Sequence, residues 1–382
     1  MKATTSIRGD HGSTDRDGHV DLLRGLAILM ILVLHAAAMT PGFEDRYFVH
    51  VFFSRLTCGM QLFFVLSGYL ISRSWDGLCE RPGGLHAYAI KRVFKIAPLY
   101  LLFLHLYIAA YWWVLKDAPS RAPFTTSVSA DTLTWGNYLA HLFFLQGMVP
   151  AWLDTLVDGG WSIVAEVYFY LLFPFLLARN CGTIQKAFKT YVFTLGFTVL
   201  LTELVTGRME RYFGYRNFFS QLPCFMLGVL AFRVLGDDAC KAVLVRWAPL
   251  LLGFAAVMAV GMVNGNVTPV GSHNIYGLIF AITLLSLSQL PGREAWNQRL
   301  KILRIMGQQS YALFFTHLFL LKLQTHFLVH RIGPGHFWDF LGLNLVTSVF
   351  VTFLISTFLI HPIDQYFVRM SSRLARRSMS SP

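Results

Sequence analysis

The chain alternates long apolar runs with short polar gaps. Runs at 22–38, 56–72, 96–115, 161–178 and 187–205 are followed by 218–235, 247–263, 275–290, 310–328 and 340–363. Each approaches or reaches the roughly 17 to 25 residues that a bilayer-spanning helix needs. The pattern predicts an all-α, polytopic transmembrane helical bundle of about ten spans. The stretch 135–152 is interrupted by His141, Gln146 and Pro150, and reads as interfacial or re-entrant.

Composition agrees: 55% of the 382 residues are hydrophobic and 14% are charged, against roughly 25% charged in an ordinary soluble domain. Basic residues concentrate in alternate gaps, for example Arg73, Arg81, Lys91, Arg92 and Lys95, then Arg179, Lys186 and Lys189, then Lys241 and Arg246. The gap 264–274 carries no charge. Because cytoplasmic loops retain Lys and Arg, both termini are expected in the cytoplasm. Basic loops beside anionic membrane lipids then account for the net charge of +12, so no nucleic-acid partner is called for.

Residues 1–21 are polar, with no net positive charge and no cleavage site after the first run, and read as a cytoplasmic tail. Residues 22–367 form one membrane domain, and 368–382 read as a basic, disordered cytoplasmic tail. The cysteines Cys58, Cys79, Cys181, Cys224 and Cys240 lack metal-type spacing and read as packing residues; no metal is expected.

Ionisable side chains inside apolar runs are costly and therefore candidates for function. Arg24 and His35 lie eleven residues apart; eleven steps of about 100° return to nearly the same helix face, roughly 16 Å along the axis. Glu166 sits in the fourth run at a depth similar to that of His35. Together they would make an imidazole base with an orienting carboxylate, suited to deprotonating a hydroxyl. Lys91, Arg92 and Lys95 precede the third run, where fixed cations suit phosphates, although any cytoplasmic helix start tends to be basic. His317, in the ninth run behind Ser310 and Tyr311, reads more readily as a satisfied core histidine.

Five blocks in order resemble the membrane acyltransferase-3 family, which includes bacterial enzymes that O-acetylate surface polysaccharides, peptidoglycan, Nod factors and macrolides. They are DLLRGLAILMILVLH (Asp21, Arg24, Gly25, His35), LFFVLSGYLISR (Ser67, Gly68, Tyr69), KRVFKIAPLY, WSIVAEVYFYLLFP (Trp161, Ser162, Glu166) and GQQSYALFFTH (Gly307, Ser310, Tyr311, His317). The resemblance implies a ten-helix domain in which His35 serves acyl transfer and Arg24 supports it. It also implies that the basic residues before helix three help hold acyl-CoA, and that Trp161, Ser162 and Glu166 help form the active site. The family usually has Arg where this chain has Lys95, which weakens bidentate phosphate contact there. The hydrolase-like domain fused in some members has no counterpart in these residues.

The expectation is an O-acyltransferase of a bacterial inner membrane, moving an acyl group, most commonly acetyl, from cytoplasmic acyl-CoA to a hydroxyl of a carbohydrate or glycolipid. Glycan-assembly proteins are a natural partner class. Two other classes use the same buried polar residues: a transporter or flippase of a glycan or lipid-linked intermediate, and a non-catalytic scaffold.

Overall fold

The computed structural model describes residues 18–115, 128–206, 211–264, 269–290, 298–332 and 336–380. The expected tail at 1–17 lies outside them. Among the described residues every regular element is helical. The long helices are α1 (Gly18–Ala38), α2 (Gly59–Asp76), α3 (Gly84–Ala110), α4 (Gly160–Leu172), α5 (Ile184–Thr206) and α6 (Phe218–Gly236). They continue with α7 (Asp238–Asn264), α8 (Pro269–Gln289), α9 (Ser310–Ile332), α10 (Phe337–Val346) and α11 (His361–Ser380).

Seven helical stretches among the described residues are long and apolar enough to cross a membrane; they contain α1, α2, α3, α4, α6, α7 and α10. Three further helices, α5, α8 and α9, have 23, 21 and 23 residues, or roughly 32 to 35 Å at 1.5 Å per residue. Within 135–152 the chain forms only a short helix, Trp135–Leu142, and two tight turns, Gln146–Met148 and Pro150–Trp152. Asn137, His141 and Gln146 are buried there, with Gln146 Nε2 donating to the Tyr100 hydroxyl at 2.7 Å.

Lipid tails provide little hydrophobic drive between helices, so close backbone packing must supply attraction. Glycines permit it at two crossings. A methyl group on Gly68 would lie 2.0 Å from the Phe225 carbonyl oxygen, and one on Gly228 would lie 1.9 Å from that of Val65, which locks α2 to α6. Gly25 and Gly307 do the same between α1 and the short helix Lys301–Gln308, against the carbonyls of Leu303 and Asp21. Cys58, Cys181 and Cys224 are buried, as packing residues would be, whereas Cys79 is exposed.

Two expectations are corrected. The basic residues placed before the third helix lie within it, because α3 starts at Gly84 and passes through Pro98. The C-terminal tail read as disordered is helical: α10 runs through wider turns at Thr347–Val351 and Ser356–Ile360 into α11, as one stretch Phe337–Met379 of 43 residues. Composition hid this, since Ser and Arg dominate the segment. Position tells more: Asp364, Ser371 and Ala375 are buried on one face, spaced by seven and four residues, while Arg369, Arg373 and Arg376 are exposed on the other. The buried face packs antiparallel on α3, with Asp364 at Lys95 and Ser378 at Gly83.

Candidate active site

Helix α9 carries the site along its length. Near its start, Ser310 Oγ accepts from Arg24 Nη2 at 2.9 Å, and the Tyr311 hydroxyl donates to the Ile96 carbonyl at 2.8 Å. One turn on, Phe314 walls a cavity of about 190 Å³ that is also lined by Arg24, Ser67, Arg92, Lys95, Ser162 and Glu166. His317 follows, and Lys322 lies five residues beyond it. From Ser310 to Lys322 the rise is roughly 18 Å, more than half of a hydrocarbon core of about 30 Å.

The cavity end near Lys95 is the basic end. Arg92 Nη2 donates to Ser74 Oγ at 2.6 Å, and its guanidinium lies 5.4 and 5.3 Å from the ring centres of Tyr88 and Tyr170. Its Nε is buried without a hydrogen-bond partner, a donor that an anionic or carbonyl ligand would satisfy. Lys95 differs from the expectation: its ammonium is 3.2 and 2.9 Å from the two oxygens of Asp364, a carboxylate only 2% exposed. It also faces the Tyr311 ring at 4.8 Å. Lys95 is thus a neutralised cation rather than a free phosphate grip.

Glu166 does not pair with His35. Its carboxylate accepts from Ser67 Oγ at 2.8 Å and from the Tyr170 hydroxyl one turn along α4. This corrects the base-and-carboxylate reading. The partner of His35 is His317: Nδ1 of His35 lies 2.9 Å from Nε2 of His317, with ring centres 5.1 Å apart and planes 24° from parallel. The network assigns the protons. His317 Nδ1 lies 3.1 Å from the Leu313 carbonyl oxygen, which can only accept, so Nδ1 carries the hydrogen and Nε2 the lone pair. His35 Nδ1 must then donate, which leaves Nε2 of His35 as a lone pair with no protein partner among the described residues. His317 is a satisfied core histidine and also fixes the tautomer of His35.

Beyond the histidines, toward the end of α1, two ion pairs close the bundle. Lys322 Nζ meets Asp158 at 2.5 Å, with the lysine 7% exposed, and Arg216 pairs with Asp154. The Arg216 guanidinium lies 5.7 Å from the ring of Trp161, which is also 6.0 Å from Phe64. Ser162 Oγ donates to the Gly159 carbonyl at 2.9 Å. Asp21 accepts from Gln308 Nε2 at 3.0 Å, and Tyr69 packs 5.8 Å from the Phe232 ring. Neither Asp21, Tyr69 nor Lys91 lines the cavity.

The residues not anticipated are Ser74, Tyr170, Asp364, Lys322, Asp154, Asp158 and Arg216. A lysine inside an apolar run was a legible signal for Lys322, and the spacing of four from Glu166 was one for Tyr170. Among the described residues no group of His, Cys, Asp and Glu is arranged to hold a metal ion.

A part-buried imidazole pair beside a cation-lined cavity, within a bundle of helices long and apolar enough to span a bilayer, marks an integral membrane protein. The chain belongs to the acyltransferase-3 family, described as an acyltransferase domain, which matches residues 17–361. It is similar to BcsY of Komagataeibacter xylinus, which is named as a membrane-bound transacylase, at 25% identity over 236 residues, 60% of this chain and 54% of that protein. It is likewise similar to the O-acetyltransferase OatA of Staphylococcus aureus, at 25% identity over 321 residues, 78% of this chain and 49% of OatA. The chain spans about half the length of these curated relatives. No solved structure matches.

Proposed function

We propose that the protein is an O-acyltransferase that moves an acyl group, most simply acetyl, from acyl-CoA at the basic end of the bundle to a hydroxyl of a carbohydrate or glycolipid at the opposite end. The proposal includes ten spans, both termini in the cytoplasm, and a bacterial inner membrane. The observation that carries it is the His35–His317 pair, whose protons leave one unshared imidazole lone pair, together with the cation-lined cavity whose Phe314 wall touches that pair.

The donor's phosphates stay at the basic end near Arg92, and the acyl-bearing arm extends past Arg24, Ser162 and Glu166 toward Phe314. The ring of Phe314 is 5.9 Å from that of His317, so the cavity ends one side chain from the pair. His35 Nε2 takes the proton of the acceptor hydroxyl as its oxygen attacks the thioester carbonyl. The C–O bond forms, the C–S bond breaks, and the imidazolium returns the proton to the departing thiolate. His317 accepts from His35 Nδ1 throughout and holds the ring's orientation. A positioned general base typically contributes roughly 10²- to 10⁴-fold. An acyl-histidine relay through the same Nε2 is the covalent variant of this scheme.

The test compares glycans from cells lacking the gene and complemented with wild type or with His35→Ala, by mass spectrometry. In parallel, thiol release from acetyl-CoA is followed with purified protein in nanodiscs. One acyl mass restored by wild type alone, with thiol release that depends on acceptor, is the expected result. Equal products from both forms would remove His35 from the reaction. Transport of a glycan would show no acceptor-dependent thiol release.

A further inference from the structure

Helix α11 begins at residue 361, where the family match ends, yet it is built into the candidate donor site through the buried Asp364–Lys95 pair. Its antiparallel register on α3 carries Arg376 toward the start of α3, where the turn holding Arg81 enters the helix. Lys91, half-buried on α3, lies between the two contacts that dock α11, Gly83 with Ser378 and Lys95 with Asp364, and next to Arg92 in sequence. Three separate segments thus bring like charges together.

No ion pair compensates them among the described residues. Asp76 is committed to Arg233 at 2.6 and 2.9 Å, Asp364 to Lys95, and Glu80 makes no ion pair. The preference of cytoplasmic loops for Lys and Arg explains why such residues are basic. It does not explain their convergence around a half-buried lysine that adjoins Arg92 and its unpartnered Nε. Like charges held together in this way are disfavoured unless an anion joins them.

Resting on the acyl-CoA reading above, we propose that Arg81, Lys91 and Arg376 form a second anion subsite. It takes the phosphomonoester at the nucleotide end of the donor while Arg92 and the cavity take the arm that bears the acyl group. A phosphomonoester carries close to two negative charges near neutral pH and three acceptor oxygens, which suits three convergent cations better than a single one. The donor is then gripped at two places, one of them supplied by a helix outside the family domain.

The experiment measures binding of CoA and of 3′-dephospho-CoA by calorimetry, with the full chain in phosphatidylcholine nanodiscs. Wild type is compared with Arg81→Gln and Arg376→Gln, and with Arg369→Gln as a control on the same helix. Arg81, Arg369 and Arg376 are exposed, so folding is not at stake. Wild type and the control should prefer CoA by on the order of fivefold to tenfold at low salt, and the two test variants should bind both ligands alike. A preference retained in both variants, or absent in wild type that still binds CoA, overturns the subsite. An effect of Arg376→Gln only in nanodiscs containing phosphatidylglycerol assigns the cluster to lipid headgroups and also overturns it. Wild type that binds neither ligand sinks the donor reading itself.

Discussion

Replacing His317 separates its two roles, since it fills core space and also accepts the proton-bearing side of His35. His317→Leu keeps most of the volume but removes the acceptor for His35 Nδ1–H, which now lies 2.9 Å away. Without it the neutral ring of His35 can exchange tautomers and rotate, and the Nε2 lone pair is no longer held on the acceptor. Loss of one buried hydrogen bond that leaves a donor unsatisfied costs about 1 to 3 kcal/mol, or roughly 5- to 150-fold in kcat. The donor KM should stay within about twofold, because His317 does not line the cavity. His317→Gln offers a carbonyl oxygen to the same proton and should recover most of the lost rate. The assay is steady-state thiol release in nanodiscs, with donor and acceptor varied separately. Full activity of His317→Leu, or equal loss in the Leu and Gln variants, would refute the proposed orientation of His35.

Three other substitutions probe the frame around the pair. Gly228→Ala would set a methyl 1.9 Å from the Val65 carbonyl oxygen, and overpacking of this kind typically costs about 1 to 3 kcal/mol; a lower unfolding temperature in detergent is expected, and an unchanged one would contradict the close crossing of α2 and α6. Asp364→Leu leaves Lys95 without its counter-ion and should destabilise the protein more than the double change Asp364→Leu with Lys95→Met, by a coupling of order 1 kcal/mol or more since the pair is largely buried; additive effects would mean the pair contributes no coupling. Glu166→Gln keeps acceptance from Ser67 and Tyr170 but removes the charge facing Arg24, Arg92 and Lys95, so donor KM should move more than kcat; a collapse of kcat at constant KM would return Glu166 to the reacting centre.

The apolar runs were legible because a bilayer leaves little choice: a stretch of that length and composition must be helical to satisfy its backbone. Arg24, Glu166, Ser310 and Tyr311 were legible as polar positions inside such runs, and they do converge on one cavity. Pairing was not legible. Counting turns gives depth, and Glu166 and His35 have comparable depths, but which faces meet depends on how helices rotate and cross, which one sequence does not encode locally. Hence Glu166 turned to Ser67 and Tyr170, and His35 to His317. Composition misled in the C-terminal segment, where exposed arginines outweigh the few buried positions that dock α11. Asp154 and Asp158 sit in turns and Arg216 ends a six-residue helix, Arg211–Arg216, where nothing in the local pattern distinguishes them from solvated charge.

The glycine crossings have a bearing on how turnover can proceed. At Gly25, Gly68, Gly228 and Gly307, helix backbones touch with no side chain between them, so sliding or rotating one helix past its partner would drive carbonyls into Cα atoms. Elements so meshed resist the rocking of halves by which carriers expose a site first to one face and then to the other. In the proposed scheme both ends of the reaction path stand in register at once, along the one helix α9. Movement would then be required of rotamers and of the substrates themselves, on the fast timescale of side chains, and under the proposed scheme the frame would stay fixed while they move.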